Sequence, residues 1–206
     1  MIHRFEQVDS TMTAARDLPV GDAAVADYQT AGRGRLGRRW EGPPGSGLFV
    51  TFVLGLDPLV VFRCGVAAAE ACGPDVRLKW PNDLMLGGRK MGGVLGEAYG
   101  DRALVGIGVN LTWAPPGAAM LGEERDPVLD RLAPLVARWS AEDPAAVVKR
   151  WSALSETLGQ RVRVEMPGET FEGTAQKVGL DGALIVSGRR VVAGDVTRLR
   201  PLTGPA

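Results

Sequence analysis

Apolar and polar positions alternate at the start of the chain, and residues 2–8 (Ile-His-Arg-Phe-Glu-Gln-Val) read as a half-buried strand. Asp9-Ser10-Thr11 offers side-chain oxygens to cap a short helix, which the pattern carries through Leu18. Residues 23–28 form a second strand. Residues 48–54 (Leu-Phe-Val-Thr-Phe-Val-Leu) have almost no polar face, which calls for a buried strand. Residues 59–72 are apolar nearly all round, so that helix lies against the sheet. Further strands read at 76–80, 83–86, 89–98 and 103–112, with Gly87-Gly88 as a two-residue hairpin turn. Ala114-Pro115-Pro116-Gly117 ends the sheet.

Two helices follow, each opening on Asp-Pro, at Asp126-Pro127 and Asp143-Pro144, with Asp as the cap and Pro at the first helical position. Pro134 is expected to kink or break the first of them. Val147, Val148, Trp151 and Leu154 keep helical spacing up to Gly159. Beyond Gly159 the period becomes two. Val162, Val164 and Met166 alternate, and Pro167-Gly168, Asp181-Gly182 and Ser187-Gly188 punctuate short strands. Tight turns between neighbouring strands, with helices packed on one side, make the fold α+β rather than a doubly wound parallel sheet. The expected organisation is a larger domain at 1–158 and a small SH3-like β-barrel at 159–206, marginal alone and packed on the first.

Composition narrows the function classes. Lys+Arg and Asp+Glu both number 24, so the chain as a whole lacks the basic footprint of an electrostatic DNA binder. The N-terminus has no apolar signal-peptide core, and the apolar run over 58–72 is interrupted by Arg63 and too short to span a bilayer. Cys64 and Cys72 fall about 12 Å apart along one helix at ~1.5 Å per residue, too far for a disulfide. The expectation is a soluble cytoplasmic protein with both thiols reduced. His3 is the single histidine. A Ser-His or Cys-His nucleophile pair is not credible unless His3, which reads as an ordinary strand-face residue, supplies it; no Cys/His zinc spacing exists, and catalysis must lean on Lys, Arg, carboxylates or a bound metal.

The most informative stretch is Thr30 to Gly47. Gly32, Gly34 and Gly37 satisfy G-x-G-x-x-G, yet the pattern runs into Gly42-Pro43-Pro44-Gly45, which cannot open the helix a dinucleotide-binding turn requires. Arg33, Arg35, Arg38 and Arg39 instead make it a loop suited to folding around an anion such as a phosphate. Lys79-Trp80-Pro81-Asn82-Asp83 places a cation, a large aromatic, an amide and a carboxylate at a strand end. In Arg89-Lys90-Met91-Gly92-Gly93, Lys90 enters an apolar strand. It either snorkels to solvent or points at an anion in a cleft, with glycines that let a ligand approach the backbone.

These segments, in this order, resemble the biotin protein ligase family over essentially the whole chain. Residues 28–40 look like its biotinyl-adenylate loop, residues 79–83 its K-W-P-N-D motif and residues 89–93 its R-K-x-x-G motif. Residues 106–111 are similar to the strand ending in its adenine-side asparagine, and Gly194-Asp195-Val196 to the end of its SH3-like domain. The resemblance implies a catalytic domain of the class II aminoacyl-tRNA synthetase fold. It also implies a two-step reaction in which biotin and ATP give biotinyl-5′-adenylate, then a lysine of a biotin carboxyl carrier protein takes the biotinyl group. Carried over residue by residue, Lys90, Arg35 and Arg33 are catalytic. Biotin is met by Ser10, Thr11, Met12, Gln29, Arg33, Gly34, Arg35, Lys90 and Gly93. Arg35, Arg38, Arg39, Trp40, Lys79, Asn82 and Asn110 take ATP or the adenylate, with Mg²⁺ as the metal and Asp83 as its ligand.

Met12 departs from the family, which usually has asparagine there. Little is lost if that position acts through its backbone, whereas affinity suffers if an amide is needed. The segment 114–126 looks short. No winged helix precedes the first strand, so no operator DNA is expected as a partner, nor a membrane; a homodimer stays open. A lipoate or octanoate ligase or transferase is the alternative within the same chemistry. An RNA-binding module built on the arginine loop is the alternative from another class.

Overall fold

The computed structural model describes residues 1–199; the last seven residues of the expected second domain lie outside the described residues. The strands are β1 (Ile2–Val8), β2 (Ala23–Gln29), β3 (Gly47–Gly55), β4 (Arg77–Lys79), β5 (Asp83–Leu86), β6 (Arg89–Tyr99) and β7 (Arg102–Asn110). They form a seven-stranded mixed sheet in the order β1-β2-β3-β7-β6-β5-β4, in which β1 and β2 are parallel and the other neighbours antiparallel. The β5–β6 connection is the Gly87-Gly88 turn, both residues at positive φ as the tight turn demands.

Alternation along the central strands gives the sheet two unlike faces. Val50 and Phe52 of β3 and Val105 and Ile107 of β7 point into the main core, against α2 (Val60–Cys72), α3 (Arg125–Ala141) and α4 (Pro144–Leu154). Ala24, Val53 and Leu104 point the other way and meet α1 (Thr11–Ala14) through Met12 and Ala15. The three long helices thus cover one face, and the opposite face is left for the site.

Asp143 caps α4 through Ala145 N, with Pro144 at the first position as expected. Three sequence expectations need correction. The first helix is a single turn ending at Ala14: Arg16 N–H donates to Thr13 O and Leu18 N–H to Ala15 O, so residues 15–18 close as turns, and Pro19 bars a return to helix at Leu18. Asp126 does not cap α3; Glu124 holds that position, and Asp126 lies inside the first turn accepting hydrogen bonds from Arg4 and Arg125. Pro134 leaves α3 unbroken. It is exposed, so water can serve the carbonyl that loses its helical partner.

The remaining strands, β8 (Arg161–Met166), β9 (Glu169–Val178), β10 (Leu184–Val186), β11 (Arg189–Val191) and β12 (Asp195–Arg198), make a five-stranded antiparallel sheet in the order β11-β10-β9-β8-β12. Its inner residues, including Val162, Val164, Ala175 and Leu184, are continuous with the main core. Trp80, 1% exposed, joins the two sheets. Its backbone N–H donates to Thr157 Oγ1 (2.9 Å) and its indole N–H to the Gly182 carbonyl (3.0 Å).

Candidate active site

On the face away from the long helices lies a cavity of about 560 Å³. Its floor is β7, where Gly106 and Gly108 stand at inward positions. A Cβ at Gly108 would lie 2.6 Å from Trp40 Nε1, and one at Gly106 would lie 2.9 Å from Met12 Sδ. Glycine is therefore what lets Trp40 and Met12 settle on the sheet.

Residues 32–40 fold as a small hairpin over this floor. Trp40 N–H donates to Gly32 O, Gly34 N–H donates to Arg38 O, Arg33 and Arg39 pair as a bridge, and a 3-10 turn at Arg35–Gly37 closes the tip. The four arginines reach different anchors. Arg33 Nη1 donates to Glu97 of β6 (3.2 Å), and Arg35 donates to Asn82 Oδ1 (3.0 Å) and to the Gly194 carbonyl (3.2 Å). Arg38 pairs with Asp195, and Arg39 donates to Thr30 O. Arg33 and Arg35 are thus drawn into the fold, while Arg38 and Arg39 stay exposed at its rim. Arg33 Nε and Nη2 and Trp40 Nε1 are buried with no protein partner, which leaves donors waiting for an acceptor.

One end of the cavity is polar and tightly built. Ser10 caps α1, and its Oγ accepts from Met12 N–H (3.3 Å). Thr11 donates to Gln29 Oε1 from both its N–H (2.7 Å) and its hydroxyl (3.1 Å). At the other end the β5–β6 hairpin presents Lys90, whose Nζ lies 2.6 Å from Asp83 Oδ1 and 5.7 Å from the centroid of the Trp40 ring. Asn82 donates to Val94 O (2.7 Å), and Asn110, 6% exposed, donates to Ala119 O (3.0 Å). Ala119 N–H in turn donates to Lys90 O, so residues 111–122 brace the strand ends that carry the site. Burial holds the Glu156 carboxyl above the usual glutamate range, opposed by Lys79 and Arg198.

The structure brings every sequence-predicted site residue to this one cavity: Ser10, Thr11, Met12, Gln29, Arg33, Gly34, Arg35, Arg38, Arg39, Trp40, Lys79, Asn82, Asp83, Lys90, Gly93 and Asn110 all line it. Met12 is 3% exposed and packs with Ala15, Ala24, Val53 and Leu104. Among the described residues no group of three or more His, Cys, Asp or Glu could hold a metal ion, and Asp83 is taken up by Lys90. Sequence reasoning did not find Glu97, Trp113 or the lining residues Asp195, Val196 and Thr197. Only the G-D-V resemblance touched that last segment, and nothing local in sequence signals a contact between Arg38 and a residue so distant.

A glycine–arginine hairpin closing a cleft on a mixed sheet, walled at its mouth by a small β-barrel, defines a ligase of the biotin/lipoate class. The biotin/lipoate A/B protein ligase family matches residues 4–112, and the biotin protein ligase C-terminal domain matches residues 157–198. The chain is 34% identical to a biotin–[acetyl-CoA-carboxylase] ligase of Paracoccus denitrificans, covering 90% of this chain and 95% of that one. To the ligase of the same name from Mycobacterium tuberculosis it is 32% identical, over 87% and 80% of the two chains. A solved biotin protein ligase from Aquifex aeolicus in complex with biotin and ATP superposes with a TM-score of 0.80 at 26% identity, covering 97% and 98%. The chain belongs to the biotin protein ligase family.

Proposed function

We propose that this chain activates biotin with ATP and transfers the biotinyl group to a lysine of a biotin carboxyl carrier protein, such as that of acetyl-CoA carboxylase. The carrying observation is the opposition of two ends in one cavity. Ser10, Thr11 and Gln29 form a hydrogen-bonding pocket fit for the ureido ring, while Lys90 and the unpartnered Arg33 and Trp40 donors await the carboxylate and nucleotide.

In the first step a biotin carboxylate oxygen bonds to the α-phosphorus of ATP and pyrophosphate leaves. Two anions must meet; Lys90 bridges carboxylate and α-phosphate while Arg33 and Arg35 offset the remaining charge, a reading supported by the three cations lining one cavity. Magnesium lowers the charge on the phosphates when bound. Asp83, the carboxylate beside Lys90, would be its protein ligand, since no group of three or more acidic, His or Cys side chains gathers among the described residues. Trp40 packs near the adenine, with Lys79, Arg38, Arg39, Asn82 and Asn110 on the nucleotide side.

In the second step the lysine ε-amine of the carrier attacks the acyl carbon, AMP leaves with the bonding electrons, and the amine gives up its proton. The mixed anhydride hydrolyses if wetted, so the 32–40 hairpin serves as a cover. The test is mass spectrometry of the protein with ATP, Mg²⁺ and either biotin or lipoate. Biotinyl-AMP forming and lipoyl-AMP not forming is expected; the reverse selectivity would overturn the assignment.

A further inference from the structure

One buried polar contact beneath the cavity has no role in the reaction described above. Thr51 lies in the middle of β3, fully buried, and does not line the cavity. Its hydroxyl donates to Thr11 Oγ1 at 2.9 Å. Thr11 Oγ1 accepts that hydrogen bond and donates its own to Gln29 Oε1 at 3.1 Å, and Thr11 N–H donates to the same oxygen at 2.7 Å. Both lone-pair positions of Gln29 Oε1 are therefore occupied by donors from one residue. The amide is left with Nε2 as its free end, beside Gly32, where a Cβ would come within 2.9 Å of it.

We propose that Thr51 is a positioning residue for biotin: its hydroxyl fixes the Thr11 side chain as the second donor to Gln29 Oε1, so that the amide is held in place with Nε2 presented to an acceptor of the ureido ring. The proposal rests on the biotin reading of this cavity. Position is what makes Thr51 matter. Without its donor, the Thr11 hydroxyl is free to turn, Gln29 Oε1 keeps only the Thr11 N–H, and the amide is held less firmly in the place that presents Nε2. A ureido acceptor that meets Nε2 in poor geometry is a buried polar group left badly paired, the costly case for hydrogen bonding in an enclosed site. The strand itself has no need of the hydroxyl, since valine fills the same shape and suits a central strand.

The experiment compares the full chain with Thr51→Val, Thr51→Ser and Thr51→Ala. It measures KM for biotin, KM for ATP and the single-turnover rate of transfer from pre-formed biotinyl-AMP to a carrier domain. Thr51→Val should raise KM for biotin about tenfold, with KM for ATP and the transfer rate within about twofold of the parent. Thr51→Ser should restore KM for biotin, because the hydroxyl returns without the methyl. Should the valine protein not fold, the alanine and serine pair reads the same difference. An unchanged KM for biotin in Thr51→Val, equal impairment of valine and serine variants, or a parallel rise in KM for ATP overturns the relay and leaves the ligase assignment standing. Failure of the parent chain itself to form biotinyl-AMP overturns both.

Discussion

Lys90 Nζ stands 2.6 Å from Asp83 Oδ1 across the β5–β6 hairpin, so the cation proposed for adenylate formation is aimed before any substrate arrives. The pairing holds a flexible four-carbon stem in place, and a ligand anion can share the ammonium, which has three donors.

Lys90→Ala should lower the rate of adenylate formation by about 10²–10³, the scale of losing one donor to developing charge. Its ion pair is partly exposed and worth at most about 1 kcal/mol to the fold, so thermal stability should barely move. ATP–pyrophosphate exchange reads the first effect and a melting curve the second. Near-normal exchange would falsify the role given to Lys90.

Arg35→Ala removes the hairpin's ties to Asn82 and to the Gly194 carbonyl. Hydrogen bonds to a charged group contribute about 1.5–3 kcal/mol, so the cover should open roughly ten- to a hundredfold more readily. Biotinyl-AMP released to solution per biotin transferred should rise accordingly. The same ratio should rise for Arg33→Ala, which loses the Glu97 anchor. No increase in either variant would mean that the hairpin binds the intermediate without sequestering it.

Gly108→Ala should act on Trp40 alone at first, since the new Cβ would sit 2.6 Å from its indole nitrogen. The ring must lift from β7, at a cost of about 1–3 kcal/mol by analogy with overpacked cores. KM for ATP should increase with a smaller effect on KM for biotin. An alanine variant with parental KM for ATP would show that Trp40 does not contact the nucleotide.

The Asp126 carboxyl is held below the usual aspartate range by hydrogen bonds from Arg4, then Arg125. A depressed pKa stabilises the fold above the unfolded value, about 3.9, and that contribution disappears as pH falls through the folded value. Asp126→Asn should therefore be less stable than the parent at neutral pH, and the gap should narrow as pH falls below about 4. Denaturant midpoints at pH 7 and pH 3.5 test this; an equal gap at both would place the effect elsewhere. The group is largely exposed, so the difference should be small.

The strands of the main sheet are legible in the sequence because each carries its own period and its own turn, as at Gly87-Gly88. The Asp143-Pro144 start of α4 is equally local. Asp126-Pro127 carries the same two letters but fails as a cap, because Arg4 and Arg125 compete for the carboxylate. The motif residues gather as expected since they sit at adjoining strand ends on one face. Glu97, Thr51 and Asp195 escape such a reading. Each has an ordinary role where it stands in the sequence, and its significance comes from a partner brought near only by the sheet order or by the packing of the second sheet.

Trp80 carries a further implication. It belongs to the motif that borders the cavity, yet both of its nitrogens are satisfied by residues of the C-terminal part, Thr157 and Gly182, while Gly194 and Asp195 hold the arginine hairpin. Grafting the final quarter of a relative onto this chain would accordingly be active-site surgery rather than the exchange of an appendage. A chimera would inherit foreign supports for its own loop and its own tryptophan, and a truncated chain would lose one wall of the room in which its chemistry takes place.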